Sequence, residues 1–259
     1  MIKIDDMERP PELTNEVVDK KTKEYIESKK INITKHVWNE KYIKDRLEQM
    51  SNGKCCYCEG KLGKDDKEMN IDHYHPKCKY PEEVVSWTNL LPACKTCNGN
   101  KRSHDTKLKP IINPRYEDPR EYLFFYRDFY RSKNNSSKGN LTKTVLDLNR
   151  TEAVQKRHEI TDEASKSLQS LFCEAKRICN RKEKKGESKY DIRNGVKGLL
   201  KEAQPESEYS AAVATCIFED PYFKPLTKYV KKLELWDTEM EELYEKAEEI
   251  CLFCEKVKS

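Results

Sequence analysis

Four cysteines and one Asp-His pair are the residues of this sequence whose types and spacing could do chemistry. Cys55 and Cys58 form one Cys-x-x-Cys pair, and Cys94 and Cys97 form a second. Zinc takes four soft, deprotonated ligands in a tetrahedron, and two such turns supply them. A chelate pair at each end holds together a loop with too little apolar content to fold alone. A redox dithiol or ordinary buried thiols are the bland alternative, and two pairs at ribbon-like spacing are far more specific for zinc than one. Cys55 completes the x-x spacing with Cys58, which leaves Cys56 to packing.

Between the two pairs lies Asp72-His73, and Asn98 directly follows Cys97. Ile71 sits in a short strand-like run, so Asp72 and His73 leave the strand on opposite faces or at its end. The residues after Cys97 read as a helix start, with Asn98 near its N-terminus and Lys101-Arg102 one turn on. A carboxylate and an amide oxygen are hard ligands that suit Mg²⁺ or Mn²⁺ better than zinc. A neutral imidazole beside such an ion can take a proton from water and make it a nucleophile. Lys101 and Arg102 are placed to hold a phosphate. Taken alone, an Asp-His pair is more often a strand-end hydrogen bond; the surrounding cysteine frame favours the chemical reading.

In this order the residues resemble the HNH nucleases, whose ββα-metal core is two strands and a helix around one divalent ion. The resemblance is carried by Ile71-Asp72-His73-x-x-Pro76 and by Asn89-Leu90-Leu91-x-x-Cys94-x-x-Cys97-Asn98-x-x-Lys101. It implies that Asp72 is a metal ligand, His73 the general base, Asn89 a residue bracing the loop, and Asn98 the second metal ligand. Asn98 stands where the family name has its last histidine. His75 and His104 have no fixed role in the pattern and read as ordinary polar residues.

The elements that position these residues are mainly helical. Charged residues make up 37% of the 259 and hydrophobic residues 36%, which fits charge-laced helices around modest cores. The net charge of +4 is too small to imply a nucleic-acid partner by itself. Eleven cysteines, with no signal peptide and no long apolar run, imply a reducing cytoplasmic setting, thiols and zinc rather than disulfides, and no membrane partner. An extended arm ends at Pro10-Pro11, and Thr14 and Asn15 cap a first helix. A second helix is expected from about Thr34 to Met50, with Trp38, Tyr42, Ile43 and Leu47 on its apolar side. Beyond the prolines at 110, 114 and 119, the runs Tyr122–Tyr130 and Leu141–Leu148 read as a hairpin around the turn-rich SKNNSSKGN. The pattern is helical from there on.

The order aromatic helix, Cys-Tyr-Cys-Glu, Ile-Asp-His, Trp-x-Asn-Leu-Leu, Asn-Pro, Asp-Pro and Leu146-Asp147-Leu148-Asn149 extends the resemblance over roughly residues 1–160. It is similar to the PtuB-type HNH proteins of Septu and retron-associated anti-phage systems. That resemblance implies a PtuA-like ATPase of the ABC/SMC class as partner and, where a retron is present, a retron reverse transcriptase and its msDNA.

Two C-terminal stretches bear on partners. Residues 176–189 hold seven Lys/Arg against two Glu, and read as a solvated charged loop in preference to a phosphate-tracking one. Leu226, Val230, Leu233, Trp236, Met240, Leu243, Ala247, Ile250, Cys254 and Val257 recur in steps of four and three, a heptad seam on one long helix. It packs on the chain's own core or docks a partner. Cys251 and Cys254 lack a second pair and read as packing thiols.

The expected fold is therefore α+β and mostly helical. It has a zinc-stapled ββα-metal core at residues 51–109, N-terminal arm and helices at 1–50, and a hairpin and helical domain at 110–259. The expected function is metal-dependent cleavage of nucleic-acid phosphodiesters, DNA in preference to RNA. A free-standing restriction or mobile-element nuclease, and a zinc-stapled adaptor with a dead inner site, are the alternatives.

Overall fold

Helix α1 (Asn15–Lys30) begins where the chain provides a cap: the Thr14 hydroxyl accepts from the Val17 amide at 3.3 Å. It ends on Lys29 and Lys30, basic residues that suit the negative end of the helix dipole. The computed structural model describes residues 1–33, 35–63, 69–181 and 186–253. Helix α2 is shorter than the periodicity predicts, Lys41–Met50, and Thr34 lies outside the described residues. Val37, Trp38 and Asn39 are poor helix formers, and the Asn39 amide instead closes a turn on the His36 carbonyl. Trp38 is still buried, its ring edge-on to Tyr25 at 5.7 Å. Ile43, Leu47 and Met50, at helical spacing, bury the inner face of α2.

Two strands follow, β1 (Met69–His73) and β2 (Leu90–Cys94), paired antiparallel so that Asp72 faces Leu91 and His73 faces Leu90. Every residue of β2 is buried, as a strand covered on both faces requires. Helix α3 (Lys95–Lys101) leaves β2 without a linker and packs back on both strands. Its N-cap is the sulfur of Cys94, which accepts from the Cys97 amide at 3.4 Å.

The chain then departs from the expected hairpin. Strands β3 (Leu123–Tyr126) and β4 (Phe129–Ser132) pair around a tight turn at Arg127-Asp128, with Arg127 at φ 53°. The run Leu141–Leu148, expected as the second strand, instead begins inside helix α4 (Ser137–Val145). Ser136 caps it by accepting from the Gly139 amide at 3.1 Å, and Thr142 bonds back to the Lys138 carbonyl. A local cap and a buried Thr142 that accepts from the Ile112 amide outweigh the β propensity of Thr and Val here.

Five helices complete the described chain: α5 (Thr151–Arg181), α6 (Gly186–Glu202), α7 (Ser210–Glu219), α8 (Phe223–Lys232) and α9 (Thr238–Glu249). They share one apolar core that includes Leu168, Val196, Leu200, Val213, Leu226 and Met240. The seam expected as one long helix is two, α8 and α9. Glu234 at φ 59° and Asp237, whose carboxylate accepts from the Met240 amide at 2.9 Å, break and restart it. Leu226, Val230, Met240 and Ala247 are buried in the shared core, so the periodicity reports packing on the chain itself. Cys254 and Val257 lie outside the described residues, as do positions 182–185 of the basic stretch.

The chain divides into two compact units: Met1–Tyr122 with Asn134–Leu148, and Leu123–Lys133 with Asn149–Ser259. Among the described residues the fold is mostly helical α+β, with two small two-stranded sheets. No described helix is long and apolar enough to cross a membrane.

Candidate metal centre and catalytic strand

Cys55 and Cys58 lie on the turn after α2, Cys94 ends β2, and Cys97 stands in the first turn of α3. All four are buried, and their sulfurs lie within 4.8 Å of one another. The Cys58 and Cys94 sulfurs are 3.9 Å apart. Four sulfurs at ~2.3 Å from a tetrahedral zinc stand about 3.8 Å apart, a spacing that the Cys58–Cys94 pair already has. Burial pushes the Cys55 thiol well above its ordinary range, which is the cost of a bare thiolate that a divalent cation removes. Cys56 is buried beside the cluster but outside it, and its amide donates to the Pro92 carbonyl of β2 at 2.9 Å. The turn is thereby tied to the strand as well as to the sulfurs.

Asp72 and His73 occupy the end of β1, one on each face, and both are almost fully buried. Both carboxylate oxygens of Asp72 accept. Oδ2 takes the Tyr57 hydroxyl at 2.6 Å, and Oδ1 takes the Lys101 ammonium at 3.0 Å. Burial, then the adjacent Asp72, pushes the Tyr57 phenol far up, so it remains a donor. The same Lys101 ammonium donates to the His73 carbonyl at 2.6 Å, which ties the end of α3 to two consecutive residues of β1.

The His73 ring has a defined tautomer. Its Nε2 lies 2.8 Å from the Val84 carbonyl. A carbonyl only accepts, so Nε2 carries the proton and Nδ1 is left as the acceptor. Trp38 packs edge-on to the imidazole at 4.8 Å, and Lys77 lies 4.8 Å over the Trp38 ring. Burial first and Lys77 second push His73 down to about 4, so the ring is neutral near pH 7.

Asn89 ties the ends of the loop between β1 and β2. Its Oδ1 accepts from the His75 amide at 2.7 Å, and its Nδ2 donates to the carbonyls of His75 and Glu83 at 3.1 and 3.2 Å. Asn98 is half-buried in α3, three residues before Lys101 and so on the same face. Among the described residues, no hydrogen bond joins its amide to Asp72 or His73.

The expected phosphate contacts separate. Lys101 has a side chain with 0% exposure and is turned inward onto Asp72, so it is a buried strut and not a phosphate contact. Arg102 is exposed, just past α3 at φ 48°. His75 pairs with Glu83 at 2.6 Å, and His104 closes a local turn on the Lys109 carbonyl at 2.7 Å. Tyr57, Trp38, Lys77 and Val84 were not singled out from sequence as parts of this site. Tyr57 had a visible position, inside the first cysteine pair. The other three carry no local signal, because each reaches the site through tertiary packing.

A carboxylate and an amide oxygen, the groups Asp72 and Asn98 carry, are donor types that suit a hard divalent cation. In the described structure the charge on Asp72 is already matched by Lys101.

No protein-family model matches the chain. The chain is similar to a Septu protein PtuB of Bacillus thuringiensis, 38% identical over 240 residues that span 92% of this chain and 90% of that protein. It is also similar to a Septu protein PtuB of Bacillus mycoides (strain KBAB4), 29% identical over 178 residues, 53% of this chain and 59% of that protein.

Proposed function

The chain belongs to the Septu PtuB family, and we propose that it is a metal-dependent HNH endonuclease of anti-phage defence that works with a PtuA-like ATPase. The observation that carries the proposal is the state of His73. It is a neutral imidazole at a strand end, held through Nε2 by the Val84 carbonyl, with Nδ1 left to accept. It directly follows Asp72 on β1, the strand paired with the one that ends in Cys94 of the four-cysteine cluster.

In this reading His73 takes a proton from water at Nδ1 as that water attacks phosphorus. Asp72 and Asn98 are the residues that would hold Mg²⁺ or Mn²⁺. When bound, such an ion neutralises charge on the phosphate and on the leaving oxygen. Asn89 fixes the loop that presents the Val84 carbonyl, and so fixes the imidazole. Arg102 is the remaining candidate for a phosphate contact, since Lys101 is engaged inside. Zinc in the four-cysteine cluster holds the turn after α2 against β2 and α3. One base and one ion make the single-strand cut the natural unit of action.

Nicking of supercoiled plasmid, and cutting of structured RNA, test the proposal. Parent protein and His73→Ala are compared in Mg²⁺, in Mn²⁺ and in EDTA, with and without the cognate ATPase and nucleotide. Metal-dependent cutting by the parent and none by His73→Ala is the expected result. No cutting in any arm, ATPase included, rejects the nuclease reading.

One observation favours a second reading, a zinc-stapled adaptor with a dead inner site. The Lys101 ammonium sits on Asp72 as a built-in cation. Mn²⁺ binding separates the two readings: an Asp72-dependent site supports the nuclease, and its absence supports the adaptor.

A further inference from the structure

We propose that the outer face of the β3–β4 hairpin is a stacking platform for single-stranded nucleic acid. The register pairs Phe124 with Arg131 and Tyr126 with Phe129, and these four side chains share one face of the two-stranded sheet. Phe125 and Tyr130 take the opposite face. Tyr126 is 58% exposed and Phe129 39%, large apolar rings left in water on a short ribbon. Each has a guanidinium beside it: Arg127 lies 5.9 Å from the Tyr126 ring and Arg131 5.9 Å from the Phe129 ring.

The platform is held rigid from behind. Phe125 and Tyr130 pack with ring centroids 4.4 Å apart, and the Arg157 guanidinium lies 5.0 Å from the Tyr130 ring. The Asn149 side chain clamps the Tyr130 backbone, accepting from its amide at 2.9 Å and donating to its carbonyl at 3.0 Å. The free edge of β3 is covered where the Phe125 amide donates to the Leu252 carbonyl at 2.9 Å. Rings on such a support lose little freedom when a base stacks on them.

Charge chooses the occupant. The hairpin carries Arg127, Arg131 and Lys133 against one carboxylate, Asp128. That carboxylate is turned away: it accepts from Thr161 at 2.8 Å and pairs with His158 at 2.9 Å, and its carbonyl accepts from Arg157 at 2.8 Å. The outer face therefore offers rings and cations with no acid among them. Tyr126 and Arg127 also border a cavity shared with Asp162, Glu219 and Asp220, which turns a phosphate chain toward the Arg131 side. Alternating rings and guanidinium groups match a strand whose bases are unstacked, because bases stack on the rings while phosphates meet the cations. A duplex hides its base faces and cannot use the rings.

The inference rests on nucleic acid being the molecule this protein acts on, and its test separates the two ideas. Fluorescence anisotropy of a fluorescein-labelled single-stranded DNA is measured with full-length His73→Ala, which cannot cut, and again with a duplex of the same sequence. The single strand is expected to bind more tightly than the duplex. Adding Tyr126→Ala and Phe129→Ala together weakens single-strand binding by about tenfold or more, at an unchanged melting temperature. Tyr126→Phe, which keeps the ring, retains it, and Arg131→Ala both weakens it and flattens its salt dependence. The platform is rejected if the folded double variant binds the single strand like its parent, or if it loses the ATPase and not the strand, which marks the face as a protein contact. Binding intact in the double variant while the unsubstituted protein still nicks plasmid overturns the platform alone. Failure of strand binding by His73→Ala together with failure of nicking by the unsubstituted protein overturns the nucleic-acid reading with it.

Discussion

Replacing Lys101 by methionine keeps most of the side-chain volume and removes the ammonium that Asp72 and the His73 carbonyl share. Lys101 and Asp72 have side-chain exposures of 0% and 3%, so the carboxylate is left in a site that water does not reach. Breaking one side of a buried ion pair costs about 3–5 kcal/mol, most of it from the charge left uncompensated. The lost donor to the His73 carbonyl adds to this by about 1–3 kcal/mol, though the two terms share one group and do not sum. Against a total stability on the order of 5–15 kcal/mol, that is a large fraction. The chain has two compact units, so a single unfolding free energy is not defined for it. Tryptophan fluorescence in a Trp236→Phe background solves this, because Trp38 and Trp87 both lie in the unit that holds the site. Urea unfolding read this way should show the Lys101→Met midpoint falling steeply at constant slope. Asp72→Asn added to Lys101→Met should recover part of the loss, since a neutral amide can still accept from Tyr57. A loss below about 1 kcal/mol, or no recovery in the double variant, refutes the reasoning that Lys101 exists to neutralise Asp72.

Other measurements probe the site and the second unit. Cys94→Ser is expected to abolish stoichiometric zinc and the cooperative unfolding of the first unit, since structural zinc contributes on the order of 10 kcal/mol; unchanged zinc content and an unchanged transition would contradict the four-cysteine site. Asn89→Ala removes three hydrogen bonds across the β1–β2 loop and should destabilise that unit by roughly 2–4 kcal/mol, while leaving zinc bound; a neutral effect in urea unfolding rules out the brace. Lys101→Met should strengthen Mn²⁺ binding by about tenfold or more, because an ammonium and a divalent ion on one carboxylate repel by several kcal/mol at an effective dielectric near 20; unchanged affinity in a calorimetric titration places any ion away from Asp72. Burial first, then the carboxylates of Asp220 and Asp128, push the Cys216 thiol up to about 12, so at pH 8 it is protonated. Iodoacetamide should therefore modify the exposed Cys78 and Cys173 and spare Cys216, and equal labelling rates by mass spectrometry would refute the assigned surroundings.

What the sequence made legible was what spacing alone determines. Two Cys-x-x-Cys turns define a four-sulfur cluster because each turn brings its own pair together, and the cluster is present with Cys56 outside it. Thr14 as a cap is likewise a local matter. The heptad pattern of residues 226–250 was real, but a periodicity of apolar residues does not say whether the helix is continuous. Asp237 as a cap and Glu234 in the left-handed region divide it without disturbing the face that packs. The misplaced hairpin has the same origin: β propensity in 141–148 was outvoted by a serine cap and a buried threonine.

Lys101 shows the limit most clearly, because its place on α3, one turn on from Asn98, was legible and its direction was not. A lysine one turn past a helix start can point outward to a phosphate or inward to a carboxylate, and the spacing is the same in both cases. What decides is the environment of the carboxylate. A carboxylate as buried as Asp72, 2% exposed, calls for a cationic partner, and Tyr57 supplies only a neutral donor. The nearest cation must then turn inward, and α3 leaves β2 at an angle that brings Lys101 within 3.0 Å. The same reasoning bears on the chemistry. A divalent ion arriving at Asp72 competes with a cation already in place, so metal affinity and the stability of the α3–β1 contact are opposed, and a substitution that raises one lowers the other. A variant series at Lys101 that moved Mn²⁺ affinity and unfolding free energy in the same direction would show that the ion and the ammonium occupy different places.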